Sequence, residues 1–252
     1  MRRIGLLICL CLLLAPFSIS GAAAPVKTET VHFKSGTETA SGYLAMPTTS
    51  GRHPALVVIQ EWWGLNDWVR EQAREFARHG YVALAPDLYH GQVATEPAAA
   101  RKLAQSLPHD RAVRDLKAAF NYLAAMPNVE KNKIGSIGWC MGGGFSLQLA
   151  IHEPRLAACV INYGELTTDP AQISKIHAPM LGNFGGDDHG IPPSAVHAFE
   201  KALQAQGKNI DARIYPGAGH AFENENNKAG YRPEAAKDAE ARTLAFFNKT
   251  LK

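Results

Sequence analysis

The sequence predicts an α/β fold, a three-layer sandwich whose central sheet is mostly parallel, with an antiparallel hairpin at its N-terminal edge. Three observations carry that prediction. Short apolar runs alternate with amphipathic stretches of helical period along most of the chain. The run Ala55-Leu56-Val57-Val58-Ile59 is apolar without a break, as expected of a strand covered on both faces. The 252 residues are 46% hydrophobic and 19% charged, a balance that excludes a disordered chain and lets one core form without disulfide staples.

Taken in order, the elements read as follows. Glu29 to Ala45 holds short alternating runs around Ser35-Gly36 and Ser41-Gly42, the pattern of the edge hairpin. Ala55 to Ile59 is the first covered strand. Asp67 to His79 places Trp68, Val69, Ala73, Phe76 and Ala77 at helical spacing, and Gly80 stops it. Tyr81 to Ala85 is a strand ended by Pro86, and Asp110 to Met126 a helix ended by Pro127. Ile134 to Trp139 is a strand and Gly142 to Ile151 a helix. Cys159 to Tyr163, Met180 to Phe184 and Ala212 to Tyr215 are strands, while Pro193 to Gln206 and Pro233 to Lys249 are helices. No long linker or internal repeat divides the chain, so one domain is expected over residues 24–252.

The first 22 residues read differently. Met1-Arg2-Arg3 is followed by an apolar run from Ile4 to Phe17 and a small-residue zone from Ser18 to Ala24. This is the pattern of a cleavable signal peptide, and the run is short of the roughly 20 residues of a membrane span. A periplasmic or secreted protein is expected, with no membrane span in its mature form. Cys9 and Cys11 leave with the leader, so Cys140 and Cys159 remain, and two free thiols are expected. Loss of Arg2 and Arg3 takes the formal charge from +3 to +1. No run of Lys/Arg suggests a nucleic-acid partner. No H-x-x-x-H or H-E-x-x-H pair suggests a metal, no cofactor is indicated, and a monomer is expected.

In open parallel sheets, chemistry gathers at the carboxyl ends of the strands. Gly138-Trp139-Cys140-Met141-Gly142-Gly143-Gly144 stands between a strand and a helix there. It is a G-x-S-x-G nucleophile elbow with Cys in place of Ser. So tight a turn needs small flanking residues, projects Cys140 from its tip, and aims the Met141 N–H at a developing oxyanion. The start of a helix beside the sulfur also favours a thiolate. Gly185-Gly186-Asp187-Asp188-His189 follows a later strand and offers an acid. Of the two acids, Asp188 is taken as the partner and Asp187 as an Asx-turn residue. Pro216-Gly217-Ala218-Gly219-His220 follows the last strand and offers a base. Cys140, Asp188 and His220 thus stand in the order nucleophile, acid, histidine. Glu61 ends the strand of Ala55 to Gln60 and is followed by Trp62 and Trp63. The Trp62 N–H is the candidate second oxyanion donor, with the two indoles as pocket walls. Two other classes compete: a binding protein that kept the fold, and a redox thiol protein, which lacks a C-x-x-C partner.

These residues resemble the dienelactone hydrolase (carboxymethylenebutenolidase) family of α/β-hydrolases. The resemblance rests on Gln60-Glu61-Trp62-Trp63-Gly64, Pro86-Asp87-Leu88-Tyr89, Gly138-Trp139-Cys140-Met141-Gly142-Gly143, Gly186-Asp187-Asp188-His189 and Gly219-His220-Ala221-Phe222. It implies a Cys140-His220-Asp188 triad, with Glu61 taking the thiol proton when substrate binds. It places Trp63, Tyr89 and Phe222 at the substrate. The family's dienelactone-cleaving members hold the substrate carboxylate with two arginines. This chain has His90-Gly91-Gln92 and Glu223-Asn224 in their places. The substrate expected is therefore a neutral ester, lactone or thioester rather than an anionic dienelactone, with Glu223 opposing an anion if it faces the pocket.

Overall fold

The computed structural model describes residues 25–252, and the leader expectation over residues 1–22 lies outside them. Eight strands form one sheet in the order β1-β2-β4-β3-β5-β6-β7-β8. They are β1 Val26–Ser35, β2 Glu38–Pro47, β3 His53–Ile59, β4 Val82–Pro86, β5 Val129–Trp139, β6 Ala158–Asn162, β7 Met180–Gly185 and β8 Asp211–Tyr215. Strand β2 pairs antiparallel with both β1 and β4, and every other pairing is parallel.

Among the described residues seven helices flank the sheet: α1 Asp67–Arg78, α2 Pro97–Ser106, α3 His109–Ala125, α4 Met141–His152, α5 Pro170–Ile173, α6 Pro193–Gln204 and α7 Pro233–Leu251. The two-residue period of a strand explains the layers. In β3, Val57 and Ile59 join the core with Leu116 and Phe120 of α3, Leu147 of α4 and Phe199 of α6. Leu56 and Val58 face the opposite core with Trp68 and Phe76 of α1 and Phe247 of α7. A continuous apolar strand is thus stable only because helices cover both faces.

Helix α1 starts where Asn66 accepts a hydrogen bond from the Val69 N–H at 3.1 Å, and it ends before Gly80 at φ +87°. Helices α2 and α5 were not expected from the apolar pattern. Helix α2, Pro-Ala-Ala-Ala-Arg-Lys-Leu-Ala-Gln-Ser, buries only Ala100, so it carries almost no periodic signal and rests on the propensity of its alanines. Strand β5 begins five residues before the expected Ile134. Val129 pairs with His53 ahead of a register shift, so the polar segment before Ile134 is drawn into the sheet.

The edge hairpin turns over Gly36-Thr37, with Ser35 opposite Glu38 and Gly36 at φ +61°. Ser41-Gly42 is not a turn. Gly42 lies inside β2 opposite Pro86, where a Cβ would press on the Ala85 carbonyl. Among the described residues no helix is long and apolar enough to cross a membrane.

Candidate active site

The carboxyl ends of five parallel strands converge on one place. Cys140 follows β5 at φ 55°, ψ −120°, a region that side-chain-bearing residues avoid. The surrounding backbone holds it there. The Cys140 N–H donates to the Asn162 carbonyl at 3.0 Å, and the Cys140 carbonyl accepts from Gly143 at 3.0 Å. The glycines permit the approach: a Cβ on Gly138 would overlap the Gly142 carbonyl, and one on Gly142 would overlap the carbonyls of Ile59 and Gln60. Gly142→Ala is therefore expected to cost about 3 kcal/mol of stability, since backbone and not a flexible side chain must move. A urea midpoint within error of wild type would contradict this. Beneath the elbow, Ser136 and Ser146 are hydrogen-bonded at 2.8 Å and Ser146 meets Cys159 at 3.4 Å, tying β5, α4 and β6 together. Cys140 and Cys159, the two cysteines among the described residues, are free thiols. Burial pushes the Cys159 thiol up to about 11, which keeps it protonated and inert.

His220, in the loop after β8, is 2.7 Å from Asp188 Oδ2 through its Nδ1. The second oxygen of Asp188 accepts from the Gly190 N–H at 2.8 Å and the Ile191 N–H at 3.0 Å. Asp188 therefore also makes the Asx-type turn that the sequence reading gave to Asp187, whose backbone N–H instead donates to Ala218. Burial would raise the Asp188 carboxyl, but the bonds from His220 and from the backbone outweigh it and hold the group below its ordinary value. Burial is also the largest influence on His220 and opposes its charge. Asp188 and then Cys140 overcome it and hold the imidazole up at about 10. The His220 ring meets Tyr163 edge-on at 5.3 Å.

Glu61 follows β3 and is 2% exposed. Its Oε2 accepts from the Asn224 amide at 2.7 Å, while Oε1 has no partner among the described residues. Desolvation pushes the carboxyl up to about 7, against the smaller pulls of Asn224 and His220. Two residues the sequence reading passed over thus belong to the site. Asn224 stands where that reading registered only a missing arginine. Tyr163 sits at the end of β6 with φ +38° and a buried, unpartnered hydroxyl. The strand-end rule that singled out Glu61 would have singled out Tyr163 as well.

Two cavities meet at Trp62, Cys140 and His220. One, of about 540 Å³, runs along Met141 and Phe145 to Leu166 and Ile191. The other, of about 810 Å³, is bounded by Trp63, Asn66, Asn224, Asn227 and Lys228. Among the described residues no arginine lines either one. The Trp62 and Met141 N–H groups donate to no other group among the described residues.

Two expected pocket residues are not there. Phe222 is wholly buried, packed between Tyr163 and Tyr215, because the chain turns its side chain into the core after the strained Ala221 at φ +57°. Tyr89 is 4% exposed and lines neither cavity. Its hydroxyl rests on Met141 Sδ at 3.3 Å, so it lies behind a wall of the site. Asp87 is the organiser of that loop, accepting from the N–H groups of Tyr89 and Gly91. Glu223 lines neither cavity and accepts instead from Trp139 Nε1 at 3.0 Å. Among the described residues no cluster of His, Cys, Asp and Glu is placed to hold a metal.

An eight-stranded, mostly parallel sheet with a strained residue on its central elbow and an acid–histidine pair on later loops defines an α/β-hydrolase. The dienelactone hydrolase family model matches residues 40–251, and the chain belongs to that family. A Methylorubrum extorquens protein named "Putative carboxymethylenebutenolidase" is 32% identical over 221 residues, which are 82% of this chain and 76% of that one. A dienelactone hydrolase-like promiscuous phosphotriesterase from metagenomic libraries superposes with a TM-score of 0.83 at 24% identity, covering 90% of this chain and 99% of that one. The dienelactone hydrolase of Anabaena variabilis superposes with a TM-score of 0.66 at 21% identity, covering 90% and 99%. The last two show the fold alone. The family makes the chain a hydrolase.

Proposed function

We propose that this chain is an exported hydrolase that cleaves a neutral ester, lactone or thioester through an acyl-Cys140 intermediate. The observation that carries the reading is Cys140 at a strained tip where two cavities meet, beside a histidine 2.7 Å from a buried acid. Glu61, able to hold a proton near neutral pH, takes the thiol proton. The sulfur attacks the acyl carbon, and the carbonyl electron pair moves onto oxygen between the Trp62 and Met141 N–H groups. Collapse of that intermediate expels the alkoxide or thiolate, which takes its proton from the His220 imidazolium. Neutral His220 then removes a proton from water. The resulting hydroxide attacks the thioester, and Cys140 leaves as thiolate and takes back the proton held by Glu61, which restores the starting state. Asp188 orients the ring throughout. The first cavity, lined by no lysine or arginine among the described residues, favours an uncharged acyl group.

The test is intact mass and turnover with p-nitrophenyl esters and lactones. A transient acyl adduct on the peptide carrying Cys140 is expected, and steady turnover with an adduct-free Cys140 contradicts the reading. The export proposal rests on the leader pattern of residues 1–22. A chain beginning at Ala23 is expected in the periplasm or medium. A chain retaining Met1 to Ala22 in the cytoplasm contradicts it.

A further inference from the structure

The two cavities that meet at Cys140 carry opposite free charges. Glu165 lines the first and Lys228 the second, and both residues are exposed. Among the described residues neither forms an ion pair. Glu165 is the one carboxyl group among the described residues that line the first cavity. In the second, Glu61 is 2% exposed and bonded to Asn224, so the charge open to an entering molecule is the Lys228 ammonium. His220 borders both cavities, so its charge does not distinguish them.

The backbone fixes both positions. After β6 the chain passes through Tyr163 at φ +38° and Gly164, and lies directly on the first turn of α4. A Cβ on Gly164 would overlap the backbone of Gly143 and Gly144, and one on Gly144 would meet the Glu165 Cβ at 3.2 Å. The Gly144 N–H in turn donates to the Cys140 carbonyl at 3.3 Å. Glu165 is thus packed on the turn of helix that follows the nucleophile. Lys228 is placed by the histidine loop. Its neighbour Asn227 donates to the carbonyls of His220 and Ala221, both at 3.2 Å, and the Lys228 N–H donates to the Asn226 carbonyl at 3.0 Å.

We propose that Glu165 and Lys228 determine which half of a substrate can carry negative charge: Glu165 bars an anionic acyl group from the first cavity, and Lys228 admits an anionic alcohol or thiol to the second. The proposal rests on the reading of Cys140 as nucleophile with the acyl group in the first cavity. A carboxylate entering there meets a like charge, with no lysine or arginine in the lining to offset it. The lack of an arginine removes an attraction, whereas Glu165 adds a repulsion, and a repulsive element sharpens discrimination. Both charges are exposed, so each effect is several-fold and is screened by salt. Neutral esters are substrates in either case. A charged ester is turned over best with its charge on the leaving half.

The test compares three esters within each variant, so that losses of folding or of overall catalysis cancel. Phenyl hexanoate is neutral, monophenyl adipate carries a carboxylate at the end of the acyl chain, and 4-carboxyphenyl hexanoate carries it on the leaving group. In the wild type kcat/KM is expected to be lowest for the adipate ester, and the gap to narrow in about 0.5 M sodium chloride. Glu165→Gln is expected to raise the ratio of adipate ester to phenyl hexanoate about fivefold, and Glu165→Lys about twentyfold. Lys228→Gln is expected to lower the ratio of 4-carboxyphenyl hexanoate to phenyl hexanoate about threefold. In each variant the other ratio stays within about twofold. An unmoved adipate ratio in Glu165→Lys overturns the proposal, as does an equal shift of both ratios in either residue's variants.

Binding without turnover separates this proposal from the hydrolase reading. Calorimetry with hexanamide and adipic acid monoamide is expected to show hexanamide the tighter ligand of the wild type. Glu165→Lys raises the relative affinity of the monoamide about twentyfold. If none of the three esters is turned over, the hydrolase reading fails and these affinities decide. A relative affinity unchanged by Glu165→Lys, or no binding of either amide, overturns the proposal.

Discussion

Cys140→Ala is expected to lower turnover by at least about 10⁴-fold while leaving the fold intact. The variant removes one sulfur from the junction of the two cavities. Alanine must still adopt the φ of 55° that Cys140 adopts, so the strain of the elbow is retained and the stability change is small. The His220–Asp188 pair and the Trp62 and Met141 N–H groups are untouched, so binding and residual polarisation of the acyl group survive. What is lost is the covalent route, and with it the acyl adduct. Cys140→Ser is a sharper companion. It keeps a nucleophilic atom but raises its proton affinity far above that of a thiol, so acylation slows unless His220 or Glu61 acts as a strong base. Activity in Cys140→Ala within tenfold of wild type would show that the sulfur forms no bond to substrate.

The parts of this site legible in the sequence are those fixed by the backbone. The strained turn at Cys140 could be anticipated because a strand, a tight glycine turn and a helix leave a recognisable spelling. The meeting of Asp188 and His220 could be anticipated because the order of strands fixes where their loops lie. Side-chain direction is a different matter. Phe222 follows His220 by two residues, yet the chain turns at Ala221 and sends the ring into the core. Tyr89 likewise belongs to a motif that the site needs, but as its backing rather than its surface. Tyr163 had no motif at all: its place depends on a positive φ that no local spelling announces. Asn224 was read as an absence because the reading asked which cation was missing and not which donor had replaced it. Helix α2 escaped for another reason, since a helix that buries one alanine leaves no periodicity to find.

Asp188→Asn is expected to reduce kcat by about 10⁴-fold with little change in KM or in the urea midpoint. The asparagine carbonyl can still accept from the Gly190 and Ile191 N–H groups, as Asp188 Oδ1 does at 2.8 and 3.0 Å, so the turn survives. Its amide nitrogen then faces His220 Nδ1, where a carboxylate stood at 2.7 Å. A donor in that position forces the ring proton onto Nε2, the nitrogen left for Cys140 and the leaving group, and the imidazole can no longer accept there. Loss of the carboxylate also removes the largest of the influences that raise His220, so the alkaline limb of the pH–rate profile moves down from the region of 10. Asp187→Asn is the control. Asp187 is adjacent in sequence and shows no contact to the imidazole, so its change is expected to stay within about twofold. The two variants together separate the acid that orients the ring from its neighbour. Equal losses in both would mean that the loop after β7 acts through its fold, and that the 2.7 Å contact between Asp188 and His220 does not orient the reacting imidazole.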